Sequence, residues 1–315
     1  MACTWAGDQI WAGDRMLAHH GLLHPAGADL AATVAPLITE RLVSGQQVLA
    51  VLPTATAARL CTRLPTLEGL HNTDSGKFYR HPGRVLAHYR AWIADTSPNG
   101  EPVTIVAAPD PDPHDSHRAA LWMHVDAATT LALAECALTL VCVYPDDAAT
   151  ADPARRAHPS LLNGATGPNP DHLPAEQFLA RYPLPPPVEL AEPDLTQTIE
   201  HFAQLSRLRQ VVATHLARAG LSEGRQADFM LAISEIATNA LEHGAPPANL
   251  RLWTTSTSVI CEITDGGRGI VPLAGLLPPP TTQRRGRGLW MAHQLCDQFY
   301  LWPHPTTIRL QMDHT

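Results

Sequence analysis

Glu235, Asn239, Glu242 and His243 follow one another at spacings of four, three and one in a segment free of helix breakers. On a helix these spacings bring an acid, an amide, a second acid and an imidazole to one face. Met230, Ile233, Ala237 and Leu241 fall opposite and can pack on a sheet. Downstream stand Asp265-Gly266-Gly267-Arg268-Gly269 and Gly286-Arg287-Gly288-Leu289. Together these residues suit a magnesium nucleotide. Mg²⁺ takes oxygen ligands, keeps several waters and commonly uses only one or two protein ligands beside the phosphates, so the Asn239 carbonyl is a sufficient metal ligand. Glu235, one turn earlier, is placed to accept a proton from a hydroxyl attacking the terminal phosphate. The glycines allow close backbone approach, and Asp265 can accept a hydrogen bond from an exocyclic amine such as that of adenine. Arg284, Arg285 and Arg287 bring positive charge to where phosphate oxygens would lie.

These groups need a scaffold, and the surrounding pattern predicts one. A helix is expected over 222–243, strands over 249–254 and 259–265, a helix over 289–298 and a last strand over 307–312, with Pro278-Pro279-Pro280 in a short lid. A strand over 195–200 and a helix over 203–219 precede them. The expected fold is an α/β sandwich with helices on one face of a mixed sheet. Its uncovered face is a candidate surface for a partner or a homodimer. Arg207 and Arg209 read as a solvated helix face, with a grip on a partner protein as the alternative.

Upstream, the proline-rich run between Tyr182 and Asp194 cannot enter a helix or a central strand. It divides the chain into residues 1–182, a linker over 183–193, and residues 194–315. In the first part, strands expected over 20–24, 47–52, 103–107 and 138–144 alternate with helices over 28–44, 54–64, 82–96 and 116–136. Such alternation implies βαβ units and a mostly parallel α/β sheet covered on both faces. Pro53-Thr54-Ala55-Thr56 lacks the glycines and lysine of a nucleotide-binding P-loop, and Ser75-Gly76-Lys77 reads as an ordinary loop. Trp92 and Trp122 read as core, with His124 and a pocket as the alternative.

A chain of 315 residues with 45% hydrophobic and 17% charged residues accommodates two globular domains. A net charge of −8 argues against direct nucleic-acid binding. No apolar run reaches the ~18 residues of a membrane span, and Met1-Ala2-Cys3-Thr4-Trp5 lacks a secretory signature, so no membrane association and a cytoplasmic location are expected. The scattered cysteines, Cys3, Cys61, Cys136, Cys142, Cys261 and Cys296, read as free thiols. His114 and His117, and likewise His19, His20 and His24, read as surface or capping histidines, because no carboxylate or cysteine at zinc spacing completes either group.

In order and spacing, the 235–244, 265–269 and 286–289 segments resemble the N, G1 and G2 boxes of the GHKL ATPases, most closely the bacterial anti-sigma-factor serine kinases, over residues 194–315. The resemblance implies ATP with Mg²⁺ as cofactors, Glu235 as general base, Asn239 as metal ligand and Asp265 as the adenine reader. Gly267, Gly269, Gly286, Gly288 and Leu289 then shape the nucleotide site, with Arg285 and Arg287 in its lid and His243 in the same box. The family's Gly-Thr pair is replaced by Pro305-Thr306-Thr307, which leaves Thr306 or Thr307 to reach adenine.

Residues 15–182 resemble the MEDS sensory domain through His20-Gly21-Leu22-Leu23-His24, Phe78-Tyr79-Arg80-His81-Pro82-Gly83-Arg84-Val85-Leu86-Ala87, Leu140-Val141-Cys142-Val143-Tyr144-Pro145 and His158-Pro159-Ser160-Leu161-Leu162. The double resemblance implies a serine/threonine kinase of a partner-switching pathway. Its partners would be a sigma factor and a STAS-type anti-sigma-factor antagonist, and an unidentified signal would act on the first domain. The alternative is an ATP-binding regulator that transfers nothing. A histidine kinase would need a phospho-accepting histidine, for which His201 and His215 are the candidates.

Overall fold

The computed structural model describes residues 17–25, 27–109, 115–162, 167–267, 269, 273–277 and 286–314. Arg284, Arg285, the Pro278 to Pro280 run, Arg268, His114, Cys3 and the first sixteen residues lie outside them.

The first half runs β1 (Ala18–His24), α1 (Leu30–Val43), β2 (Val48–Leu52), α2 (Thr54–Cys61), β3 (Leu70–Asp74), α3 (Ser75–Phe78), α4 (Val85–Thr96), β4 (Val103–Ala107), α5 (Ser116–Ala132), β5 (Leu138–Pro145), α6 (Ala151–Ala157), β6 (Ser160–Leu161) and α7 (Ala175–Arg181). The strands pair in parallel in the order β3-β2-β4-β5-β1-β6. Every residue of β2 and β4 is buried, as a sheet covered on both faces requires. Strand alternation splits the core in two. Leu49, Val51, Ile105 and Leu140 join α4 and α5 on one side, and Val48, Ala50, Val106 and Val141 join α1 on the other.

Three local readings change. Residues 75–77 are not a loop but the start of α3, because Asp74 accepts hydrogen bonds from the Lys77 amide and the Thr54 hydroxyl. The helix expected over 82–96 opens with a 3₁₀ turn, Pro82–Arg84, before α4. The segments β3, β6, α6 and α7 are too short or too polar to give a clear period, and they take shape only against the sheet.

The second half comprises β7 (Leu195–Ile199), α8 (Leu205–Leu216), α9 (Glu223–Glu242), β8 (Ala248–Thr254), β9 (Ser258–Asp265), α10 (Gly288–Leu295), β10 (Gln298–Pro303) and β11 (Thr306–Asp313). Its sheet has the order β10-β11-β9-β8-β7 and is antiparallel at every pairing, which corrects the expected mixed sheet. The helix expected to reach 298 ends at Leu295, and the aromatic run Gln298-Phe299-Tyr300-Leu301-Trp302 extends as a strand against β11. Helices α8, α9 and α10 cover one face through Leu208, Phe229, Ile233, Ala237 and Ala292, packed on Leu250, Cys261, Ile263 and Leu310.

The other face, expected to be open, is overlain by the proline-rich segment. Trp253 and Trp302 donate their indole N–H groups to the Ala191 and Pro185 carbonyls at 2.7 Å each, and Arg309 reaches the Val188 carbonyl at 3.1 Å. Glu262, 2% exposed, lies beneath this segment between Arg251 and Arg309. A cleft of about 770 Å³ remains between segment and sheet.

The two halves also meet at α10. Arg84 donates to the Gln294 carbonyl at 2.6 Å and the Leu295 carbonyl at 3.0 Å, and the Gln294 amide returns a bond to the Gly83 carbonyl at 2.6 Å. A cation thus sits on the carbonyls at the helix's C-terminus, where the helix dipole favours it.

Candidate nucleotide site

The site is built where α9, the end of β9, the start of β11 and the start of α10 converge. Asn239, His243, Gly244, Asp265, Gly267, Gly269, Gly286, Leu289 and Thr306 border one cavity of about 240 Å³, with Ile236, Ile263 and Ile308 as its apolar lining. The spacing along α9 thus delivers Asn239 and His243 to the same space as residues some twenty and fifty positions further on.

Glu235 is half-buried at the edge of this space, against the first turn of α10. A Cβ on Gly288 would lie 2.5 Å from Glu235 Oε2 and 3.3 Å from Asn239 Nδ2. Only a residue without a side chain lets the helix start touch both the acid and the amide. The unpaired N–H groups of that first turn are suited to an anion beside the pair.

Asp265 is 7% exposed and anchored on one oxygen. Its Oδ1 accepts from the Gly267 amide at 2.7 Å and the Ala245 amide at 3.3 Å, and among the described residues no hydrogen bond reaches Oδ2. Two glycines make this possible. A Cβ at Gly244 or at Gly267 would stand 2.6 Å from Asp265 Oδ1. Gly269 has a φ of 92°, in the left-handed region that favours glycine.

Of the other residues singled out in the sequence, His243 is largely solvent-exposed, with its ring 4.0 Å from the Glu242 carboxylate. Arg287 is exposed at the start of α10. Thr307 does not line the cavity. It faces the opposite side of the sheet and borders the cleft under the linker, whereas Thr306, directly paired with Asp265, lines the cavity beside Asn239 and Asp265. The strand period of two forces that exclusion: one of two successive threonines faces the helices and the other cannot. The three isoleucines come from α9, β9 and β11 and were not singled out in the sequence; the alternation of β11, which puts Thr306 and Ile308 on one face, is the signal that could have found Ile308.

His201 and His215 lie away from this space: the His201 amide bonds to Gln204 and the His215 ring to Thr254. Arg209 reaches Ser234 at 3.4 Å. His124 borders a second cavity, of about 470 Å³, between the two halves, while Trp122 is core.

The geometry combines a carboxylate and a carboxamide at a helix start with an acid held by glycines over an apolar cavity. Residues 200–312 match the family model of the histidine kinase-like ATPase domain. The C-terminal half of this chain carries such a domain. No curated protein matches the chain. In the histidine kinase-like ATPase domain, then, the cavity bordered by Asn239 and Asp265 is the candidate site for adenine nucleotide.

The amino-terminal histidines depart from expectation. His19 and His20 are buried on β1, a strand flanked on both sides, and only His24 sits at the surface edge, bonded to the Ala28 carbonyl. Burial lowers the His20 pKa to about 4.

Proposed function

We propose that the C-terminal half binds ATP with Mg²⁺ and transfers the γ-phosphoryl group to a serine of a small STAS-type anti-sigma-factor antagonist, and that the MEDS-like N-terminal half gates this activity. A sigma factor is the second protein partner in this reading. The observation that carries it is the contact of Glu235 and Asn239 with Gly288, which puts a carboxylate and a carboxamide at a helix start, the groups this reading takes as base and metal ligand.

The residues present fit the nucleotide. Asp265 Oδ2 would accept the adenine amine, the Asn239 carbonyl would hold the metal, and the amides around Gly286 to Leu289 would meet the phosphates. Mg²⁺, when bound, neutralises developing phosphate charge. Glu235 accepts the proton of the attacking serine hydroxyl, and the apolar lining excludes water from the base pocket. Gating is supported by α10 itself, whose start touches Glu235 and whose end is held by Arg84 from the other half.

Incubation with γ-labelled ATP, Mg²⁺ and each candidate antagonist tests the proposal. Label on an antagonist serine, lost in Glu235→Gln with nucleotide binding retained, is the expected result. Tight ATP binding with no label on any protein would replace the kinase by an ATP-binding regulator.

A further inference from the structure

Four side chains far apart in sequence meet inside the N-terminal half: His19 on β1, Asp126 on α5, Cys142 on β5 and His158 after α6. All four are buried, and one ligand atom of each lies within 4.8 Å of every other. The separations are 3.3 Å from His19 Nε2 to Asp126 Oδ1, 3.1 Å from His158 Nε2 to Asp126 Oδ2, 3.5 Å from Cys142 Sγ to His19 Nε2 and 3.3 Å from Cys142 Sγ to Asp126 Oδ1. A tetrahedral ion with bonds of about 2.0–2.3 Å has ligand-to-ligand edges of about 3.3–3.8 Å. The four separations, 3.1–3.5 Å, come close to those edges, with Asp126 presenting a different oxygen to each histidine.

Its outer contacts orient the donors. His158 Nδ1 lies 2.5 Å from the Ala154 carbonyl, which can only accept, so Nδ1 carries a proton, and the ring in its neutral form would offer the Nε2 lone pair to an ion. That Nε2 is buried, meets no hydrogen-bond partner in good geometry among the described residues, and stands 3.1 Å from Asp126 Oδ2. His19 Nδ1 is likewise engaged by Thr130 Oγ1 at 3.0 Å, and Tyr144 donates to Asp126 Oδ2 at 2.8 Å. Ring nitrogens tied on the far side and a carboxylate held by a hydroxyl are the usual outer shell of a metal site. A cation held between Nε2 and the carboxylate would satisfy both.

We propose that His19, Asp126, Cys142 and His158 form a closed structural site for a divalent cation of the zinc class, which staples β1, α5, β5 and the α6–β6 turn. Two nitrogens, one sulfur and one oxygen select zinc or cobalt over magnesium or calcium. The site lies in the half that the nucleotide reading does not use and stands independently of it.

The test uses the full-length protein expressed in zinc-supplemented medium. Elemental analysis should find about one zinc per chain. After chelation, Co²⁺ should be taken up at one equivalent with a thiolate-to-cobalt charge-transfer band in the near ultraviolet. Cys142→Ser and Asp126→Asn, shown to be folded by circular dichroism, should hold less than about a tenth of that metal, and Cys61→Ser should hold all of it. Folded wild-type protein that carries no zinc and takes up neither Zn²⁺ nor Co²⁺ overturns the proposal and leaves a protonated His158 paired with Asp126. Uptake without the charge-transfer band, or unchanged in folded Cys142→Ser, overturns it as well.

Discussion

Asp265 borders the cavity with one oxygen committed to backbone amides and the other without a hydrogen bond among the described residues, so its substitution by asparagine is a clean chemical change. Asp265→Asn puts an amide where an exocyclic amine would need an acceptor. A hydrogen bond to a charged group contributes about 1.5–3 kcal/mol, so adenine nucleotide should bind roughly 10- to 100-fold more weakly by calorimetry, with an unchanged circular dichroism spectrum. Gly288 is the complementary case. Its missing Cβ is what admits Glu235 Oε2, and Gly288→Ala forces either the carboxylate or the start of α10 to move. Misplacement of a catalytic group by about 1 Å costs on the order of 100-fold in rate, and a transfer assay on this variant should show a loss of that size with a smaller change in affinity. An unchanged rate would remove Glu235 from the reaction.

Helix α10 and strand β9 each carry a buried polar group whose cost can be measured. His293 is 4% exposed, stacks on Phe299 with ring centroids 3.8 Å apart, and has a buried Nδ1 without a hydrogen bond among the described residues. Burial lowers its pKa to about 3. The unfolded chain therefore binds a proton below about pH 6.5 that the folded chain refuses, and stability falls as the pH drops through that window. At pH 5 the loss from this residue is on the order of 2 kcal/mol. Thermal melts of His293→Phe between pH 5 and 7.5 should show a flatter slope than the wild type. On β11, Arg309 bonds the buried Glu262 through two nitrogens at 3.0 and 2.7 Å. Its loss leaves Glu262 with Arg251 as its one remaining cation among the described residues, so Arg309→Met should cost about 1–3 kcal/mol in a denaturant titration, less than a fully uncompensated charge. The same change frees the Val188 carbonyl, so protease should then cut the linker faster.

The two halves share more than a tether. The linker lies across a sheet face, Arg84 grips the end of α10, and Asp297 collects His81, Arg225 and the Asp313 amide. Burial alone would raise the Asp297 pKa, but His81, the Asp313 amide and Arg225 together hold it below the ordinary carboxylate value. Its contribution to stability is present above about pH 4 and is lost as the pH falls through the depressed value. Arg84→Met removes two charge-assisted bonds across the junction and should lower stability by about 2 kcal/mol. If the junction transmits the gating signal, the same variant changes phosphotransfer without altering the Glu235 region, so nucleotide affinity should move less than rate. A variant whose rate and affinity both match the wild type would show that the junction only holds the halves together.

Local pattern was enough for much of this protein. The apolar runs of β2, β4 and β5, the two-faced α9 and the glycines at 244, 267 and 288 could be read directly, because burial on a strand or helix repeats at a fixed period and close approach demands glycine. The box residues Asn239, Asp265, Gly267, Gly269 and Gly286 share a cavity for that reason. Long-range packing settled the rest. Thr306 rather than Thr307 lines the cavity because β11 pairs with β9 in one register, and β10 forms because β11 is there to receive it. The linker's seat on the sheet depends on tryptophans more than sixty residues away, and the quartet of His19, Asp126, Cys142 and His158 spans most of the first half. Spacing along a chain encodes neighbours within one turn or one strand; contacts between distant elements depend on how sheets close and helices cross, and no local period carries that information.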